Sequence, residues 1–390
     1  MKILILSDNF PPHIVGGAER STFDLACAFQ KKGHEVFVIT TCRNKTDVGR
    51  EDFAGLKVYR IYANYASRWR AYLCLYNPQV VGKVRKLLQE IKPDIVHANN
   101  IHYYLSYYCL KLARRYSKGV FLTARDTMLF SYGKLATKKY LEHLDYRTSW
   151  WDHLKQAKKR YNPFRNIVIR RYLKSVDKIF AISNSLKEAL NQNGIQKVEV
   201  IYNGIDVEDW QVSPEFVKGF KEKYNLQDKK VIFFGGRVSY LKGLEQIKQV
   251  VAKVKENIPE TVLLIAGKEG IGWLTGSELK SAYWASDIVV SPSIYLDPFN
   301  RTNIEAMACK KPVVGAHYGG IPEVIQDNVT GFVVDPFDTE LMAQKIVDLL
   351  KNPQKAKQFG EAGYRRVIEK FNLEDKAEEY LKYFRELLRT

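Results

Sequence analysis

The stretch from Asp287 to Phe337 restricts what this chain can fold into more than any other. Ile288-Val289-Val290 is a β-branched apolar run that reads as a short buried strand, ended by Ser291-Pro292-Ser293. Apolar residues recur at helical spacing from Asn303 to Cys309. That predicts a helix starting near Arg301, stopped at Lys311-Pro312, with Val313-Val314-Gly315 opening the next strand. Two carboxylates, Asp297 in the loop and Glu305 on the early turns of the helix, face this strand–loop–helix junction. Backbone N–H groups left free at the helix start, around Asn300 to Asn303, favour an anion. A carboxylate beside them can accept from two vicinal hydroxyls, as an acidic residue does with ribose in dinucleotide folds. Phosphate and ribose held together make a nucleotide site.

The run Asp297-Pro298-Phe299-Asn300-Arg301-Thr302-Asn303-Ile304-Glu305-Ala306-Met307, followed by Lys311-Pro312-Val313-Val314 and Gly319-Gly320-Ile321-Pro322-Glu323, resembles the donor-binding signature of the GT-B retaining glycosyltransferases of family 4. It departs twice. Asp297 stands in place of the first of two glutamates, and Asn300 in place of a glycine. The resemblance implies that Asp297 contacts the donor sugar and Glu305 the ribose, with Asn300, Arg301, Thr302 and Asn303 binding the donor at the helix start. Aspartate is one methylene shorter than glutamate, so the sugar contact is altered or lost.

Upstream, the strand Val231 to Phe234 runs into Gly235-Gly236-Arg237-Val238-Ser239-Tyr240-Leu241-Lys242-Gly243. Two cations on a glycine-bracketed loop can neutralise a departing diphosphate. The family resembles this segment and uses the residues matching Arg237 and Lys242 on the donor diphosphate. Thr261 to Ala266 is a further strand, ending at Gly267-Lys268-Glu269-Gly270. By resemblance this loop, with Gly267 and Glu269, meets the nucleotide base. The chain then passes almost directly to a helix over Glu278 to Ser286, whereas family members carry another strand and helix between. Base identity, whether UDP, GDP or ADP, stays open.

The first half opens with a strand, Lys2 to Ser7, then a loop to Gly16-Gly17, a helix from Ala18 to Lys32 stopped by Gly33, and a strand over Val36 to Thr40. This is a βαβ unit and predicts a parallel sheet with covering helices. The loop lacks G-x-G-x-x-G, which argues against a nicotinamide or flavin cofactor; no cofactor is expected beyond a nucleotide sugar acting as donor substrate. Gly16 and Gly17 let backbone N–H groups approach a ligand, and the resemblance places them near donor phosphate and acceptor. His97, at the carboxyl end of the strand reached through Pro93-Asp94-Ile95-Val96, is a substrate-binding candidate. Arg125 follows the strand Val120 to Thr123, where many family members carry a histidine. It stays protonated, so it binds or orients an anion rather than acting as a base; a salt bridge to Asp126 is the competing reading.

Charge divides the chain. Residues 1–200 hold 35 Lys and Arg against 16 Asp and Glu, and residues 201–390 hold 26 against 27, so the whole excess of +18 lies in the first half. Ser131–Lys174 carries 12 basic and 3 acidic residues interleaved with Trp150-Trp151, Tyr161 and Tyr172. That pattern suits a helix lying on anionic lipid, also suits nucleic-acid stacking, and suits a plain solvated face. The lipid reading ranks first and no nucleic acid is expected, because a lipid-linked acceptor suits the implied transferase.

Five scattered cysteines without C-x-x-C spacing suggest reduced thiols in the cytoplasm, and no run approaches a membrane span. The expected location is cytoplasmic, with peripheral contact at the inner membrane face. The expected fold is α/β, GT-B. Residues 1–204 form a Rossmann-like acceptor domain, joined by a returning helix at 373–390, and residues 205–372 form a Rossmann-like donor domain facing it across a cleft. The implied activity is retaining, metal-independent transfer of a sugar from a nucleotide-diphosphate sugar to a glycan or lipid-linked acceptor, in cell-surface polysaccharide or glycolipid synthesis. Three rivals remain: a nucleotide-sugar-binding protein of the same fold that has lost catalysis, a basic nucleic-acid-binding protein and, as the minor one, a same-fold enzyme of another class such as a nucleotide-sugar epimerase.

Overall fold

The computed structural model describes residues 1–12, 16–236 and 239–389. These form two compact units, Met1–Gly204 with Leu373–Thr390, and Ile205–Asn372.

The first unit holds eight strands: β1 (Lys2–Leu6), β2 (Glu35–Cys42), β3 (Gly49–Phe53), β4 (Leu56–Tyr62), β5 (Ile95–Ala98), β6 (Gly119–Ala124), β7 (Lys178–Ala181) and β8 (Val198–Val200). Their spatial order is β3-β4-β2-β1-β5-β6-β7-β8, parallel except for β3. Ile3 to Leu6 have no exposed surface, as expected for strands covered on both faces by crossover helices. The sequence reading did not include β3, whose Gly-Arg-Glu-Asp-Phe reads as polar loop. β3 exists as the outer arm of a hairpin turned at Ala54 (φ 51°) and Gly55 (φ 77°), the left-handed pair a two-residue turn requires.

The helix Leu373–Arg389 belongs to this unit's core. Ala377, Tyr380, Leu381 and Phe384 pack in one cluster with Ile3, Ile5, Phe29, Phe121 and Phe180. Gly119 makes room for it, since a Cβ there would stand 2.4 Å from Leu387 Cδ2.

The basic segment 131–174 is not one helix. It breaks into Lys138–His143, Trp150–Ala157 and Arg165–Leu173, with a tight turn at Lys158–Arg160. Tyr132, Tyr140 and Arg165 are buried, whereas Trp150, Trp151, Phe164 and Ile167 are exposed. Part of the aromatic and basic content that suggested a single lipid-facing helix is therefore used to pack the unit itself.

The second unit is a five-stranded parallel sheet: β9 (Lys230–Phe234), β10 (Thr261–Ile265), β11 (Ile288–Ser291), β12 (Val313–Ala316) and β13 (Gly331–Val334), in the order β10-β9-β11-β12-β13. From β9 the chain goes to one side, to β10, and then returns to the other side, to β11. The two carboxyl ends of β9 and β11 flank the point where winding reverses, which is where open α/β sheets bind ligands. The first sheet has the same feature between β1 and β5.

Candidate functional site

In the second unit the reversal point gathers most of the residues singled out from sequence. Lys242 ends a tight turn, Tyr240–Lys242, held against the β11 loop because Gly243 (φ 83°) would place a Cβ 1.9 Å from Pro292 O. No residue with a side chain fits there. Lys242 Nζ donates to Asp297 Oδ2 at 2.7 Å, with Asp297 nearly buried. Ser293 Oγ donates to the same oxygen at 2.9 Å, and the Asn300 N–H donates to Oδ1 at 3.2 Å. Asp297 is thus anchored on the cation meant to meet the diphosphate.

The Gly319-Gly320 pair does more than turn the chain. Gly320 N–H donates to Asp297 O at 2.8 Å, and a Cβ on Gly319 (φ 66°) would stand 2.1 Å from that oxygen. The β12 exit thereby clamps the Asp297 loop. Asn300 caps the helix Arg301–Ala308 with φ 50°, ψ 84°. This left-handed backbone explains the substitution noted from sequence: glycine adopts it freely and asparagine is among the few others that tolerate it.

Glu305 is not an open carboxylate. Arg301 Nε donates to Oε1 and the Tyr283 hydroxyl to Oε2, each at 2.7 Å. Burial, and after it the charge of Glu305, hold the Tyr283 hydroxyl well above its usual pKa, so it remains a donor. Each carboxylate oxygen accepts two hydrogen bonds, so a diol can still be met while Arg301 and Tyr283 fix the orientation. Thr302 is half-buried at the helix start, and a Cβ on Gly236, the last described residue of the β9 exit, would lie 3.8 Å from its Oγ1. Asn303 is fully buried with neither amide atom partnered among the described residues. Gly267 (φ 140°) shapes the β10 exit through its bridge to Gly272, and Glu269 is exposed on that loop. Arg237 lies outside the described residues.

The first unit places its candidates differently. Gly16 is the cap of the helix Gly17–Lys31, in extended backbone (φ −175°), and Gly17 is exposed. His97 has no exposed surface. Its Nε2 lies 2.7 Å from Thr123 Oγ1, and its ring sits among Phe29, Phe180, Tyr380 and Phe384. Burial, then the charge of Arg125, lower its pKa to about 3. This corrects the sequence reading: His97 is a neutral core residue and not a substrate contact, because the returning C-terminal helix covers it.

Arg125, 7% exposed, donates from Nε to Asn99 Oδ1 (3.1 Å) and from Nη1 to Asn203 Oδ1 (2.6 Å). It ties the β6 exit to the end of the unit. Asp126 approaches His102 instead, at 3.4 Å.

Sequence reasoning missed Asp8. It is fully buried just beyond β1 and accepts from three successive backbone N–H groups, Tyr103 (2.7 Å), Tyr104 (2.8 Å) and Leu105 (2.7 Å). Burial nevertheless outweighs those bonds and pushes its carboxyl up to about 6. Its place one residue past the first strand was the available signal. Tyr283, on the helix expected over Glu278 to Ser286, carried none.

Comparison with known proteins gives these arrangements a family. Residues 15–209, half of the chain, match the family model described as Glycosyltransferase Family 4, and residues 271–366 match Glycosyl transferases group 1. The chain belongs to glycosyltransferase family 4. An uncharacterized glycosyltransferase of Methanocaldococcus jannaschii is 25% identical over 99% of this chain and 98% of its own. A glycogen synthase of Mycobacterium tuberculosis is 22% identical, over 95% and 91%. Among solved structures, sucrose-phosphate synthase of Thermosynechococcus elongatus superposes with a TM-score of 0.79 at 22% identity, covering 100% of this chain and 99% of that one. HepE of Anabaena, in complex with UDP and glucose, gives 0.72 at 19% identity, covering 99% and 100%. The fold is GT-B, as the signature implied. Among the described residues no helix is long and apolar enough to cross a membrane.

Proposed function

We propose that this family 4 glycosyltransferase takes a nucleotide-diphosphate sugar on its second unit and transfers the sugar, with retention and without an essential metal, to a glycan or lipid-linked acceptor held by the basic first unit. Cell-surface polysaccharide or glycolipid synthesis is the setting that suits a basic acceptor side. The observation that carries the reading is the convergence of Lys242, Asp297 and Glu305 at the winding reversal of the second sheet. The UDP and UDP-glucose complexes of HepE are consistent with such a donor.

Each residue then has a task. Glu305, oriented by Arg301 and Tyr283, accepts from the ribose hydroxyls. Lys242 Nζ carries three protons, and its bond to Asp297 uses one; the others serve the diphosphate as negative charge builds on the leaving group. The family resemblance gives Arg237 the same task. The helix start at Arg301 and Thr302 adds the positive end of the peptide dipoles. Asp297, held by Ser293 and the Asn300 N–H, positions the sugar at a shorter reach than glutamate.

The direct test is hydrolysis of nucleotide sugars by the full chain, with the anomer of the released sugar followed by NMR in the presence and absence of a chelator. Release of the donor's own anomer, unaffected by chelator, supports the reading. Inverted product or loss of activity on chelation contradicts it. A protein that binds nucleotide but never releases sugar is the catalytically degenerate alternative.

A further inference from the structure

The carboxyl end of the first sheet holds a cation that neither the core nor the proposed donor chemistry uses. Arg43 is the first residue past β2, at the rim where open α/β sheets place ligands. Its guanidinium is held from several sides. Nη1 donates to Thr41 Oγ1 at 3.0 Å and to Ala63 O at 3.4 Å, and Nη2 donates to Asn9 Oδ1 at 3.1 Å. The central carbon lies 3.3 Å from the centroid of the Tyr104 ring, against which Tyr65 packs at 4.9 Å.

Asp8 anchors both supports. Its backbone oxygen accepts from Thr41 Oγ1 at 2.6 Å, and its carboxylate holds the N–H groups of Tyr103, Tyr104 and Leu105. Thr41 and Tyr104, which fix Arg43, are therefore themselves fixed by one buried residue. A hydrogen-bonded frame and an aromatic floor make this a preorganised guanidinium and not a mobile surface arginine.

Arg125, in the same unit, is buried on two asparagine amides, whereas Arg43 is partly exposed. Of its five N–H donors three are taken by the frame. Nε has no protein partner among the described residues and is not buried, so it donates outward. Asn9 joins this cation to a carboxylate: its Nδ2 donates to Glu19 Oε1 at 3.3 Å. Glu19 stands in the first turn of the helix Gly17–Lys31 and is 9% exposed, with Oε2 as its accessible oxygen.

This pairing narrows the ligand. A guanidinium N–H suits an oxyanion, and a carboxylate oxygen accepts from a hydroxyl. The same carboxylate repels a ligand that is anionic throughout, such as free phosphate or a nucleic-acid backbone. A sugar ring with one negative group beside its hydroxyls satisfies both ends. We infer that Arg43, Asn9 and Glu19 form a subsite for an anionic sugar, in which Arg43 Nε donates to a carboxylate or phosphate of the sugar and Glu19 accepts from one of its hydroxyls. The inference rests on the proposed reading that the first unit holds the acceptor, and it makes that acceptor a negatively charged sugar selected by Arg43.

Saturation-transfer NMR on the full chain tests it, with glucuronate, glucose 6-phosphate and glucose as probes and inorganic phosphate as competitor. The wild type is expected to bind at least one anionic sugar about tenfold more tightly than glucose, as for one hydrogen bond to a charged group, and Arg43→Gln is expected to remove that margin. Preference for glucuronate assigns a carboxylate, and preference for glucose 6-phosphate a phosphate. Equal binding of all three sugars by the wild type, or a margin kept in Arg43→Gln, overturns the proposal. Inorganic phosphate that competes as well as glucose 6-phosphate makes this a free-anion site and also overturns it.

Glu19→Gln puts an amide donor where Oε2 accepts, so it is expected to weaken the sugars while strengthening inorganic phosphate; unchanged sugar affinity overturns the assignment of Glu19. If Arg43→Gln does not fold, Arg43→Lys carries the test, because it keeps the charge without Nε and is expected to lose the margin as well. Nucleotide-induced stabilisation of the same preparations reads the donor site separately. A kept nucleotide response with a lost sugar margin in the Arg43 variants supports the subsite, and a wild type that shows the margin without any nucleotide response fails the donor reading alone.

Discussion

Both sheets reverse their winding once, between β1 and β5 in the first unit and between β9 and β11 in the second, and the two reversal points are filled in opposite ways. In the first, Asp8 spends its carboxylate on three backbone N–H groups, His97 lies under the C-terminal helix, and Arg125 holds two asparagine amides. Polar groups there are buried and turned on the protein itself. In the second, Lys242, Asp297 and Glu305 are held in ion pairs and hydrogen bonds that still leave protons on Lys242 and lone pairs on Glu305. The same topology thus frames a buried polar scaffold in one unit and a charged candidate site in the other. Position at a strand end tells where a site can lie; the partners of each polar group tell whether one is there.

The strongest way to break this contrast is to exchange the expected consequences. Asp8→Ala leaves three buried N–H groups without an acceptor and is expected to cost at least about 3 kcal/mol of stability. Chemical denaturation measures it, and nucleotide binding by the protein that remains folded should be unchanged. Lys242→Ala is expected to lower kcat about 10²–10³-fold, as for loss of one preorganised charge-stabilising donor. Steady-state hydrolysis measures it, and a loss confined to KM would mean that Lys242 serves the ground state only.

Gly319→Ala sharpens the claim that the β12 exit sets the Asp297 loop. With a backbone oxygen 2.1 Å from the new Cβ and a left-handed backbone, it is expected to lower both melting temperature and kcat, whereas Asn300→Gly, which relaxes a left-handed residue, should change stability by less than about 1 kcal/mol. Tyr283→Phe removes one donor to a charged acceptor and is expected to raise donor KM by about tenfold, with kcat little altered.

Acid should act on the first unit with smaller amplitude. His97 and His102 are lowered, mainly by burial, to about 3 and about 4. The unfolded chain, with ordinary histidines, therefore takes up protons that the folded one refuses. Their contribution is present above about pH 6.5 and is lost as pH falls toward 4. Asp8, raised to about 6, opposes this, because the folded state gains its proton first. Two histidines against one aspartate predict a net loss of melting temperature between about pH 7 and pH 5, and His97→Phe should reduce that loss.

Much of the second unit was legible because its chemistry is local. Asp297, Asn300 and Glu305 lie within one strand–loop–helix, and the glycines that shape it are forced by contacts of the kind seen at Gly243 and Gly319. The first unit was less legible because its decisive contacts are distant in sequence. His97 became a core residue through Tyr380 and Phe384, and Asp8 meets a turn more than ninety residues away. Nothing in residues 131–174 revealed that Arg165 would be buried while Phe164 beside it would be exposed. Alternation between a packed and a free side chain on a short helix depends on what lies beneath it. β3 escaped for a related reason: an edge strand needs no apolar pattern, only a partner and a turn.

The most direct measurement is the thermal stability of the wild type and Glu305→Ala with UDP-, GDP- and ADP-sugars, each protein compared with its own ligand-free state. The account predicts stabilisation by donors of one base and its loss in the variant, because Glu305 is the proposed ribose contact at the reversal point of the second sheet. No stabilisation by any nucleotide, or an equal shift in both proteins, would contradict it.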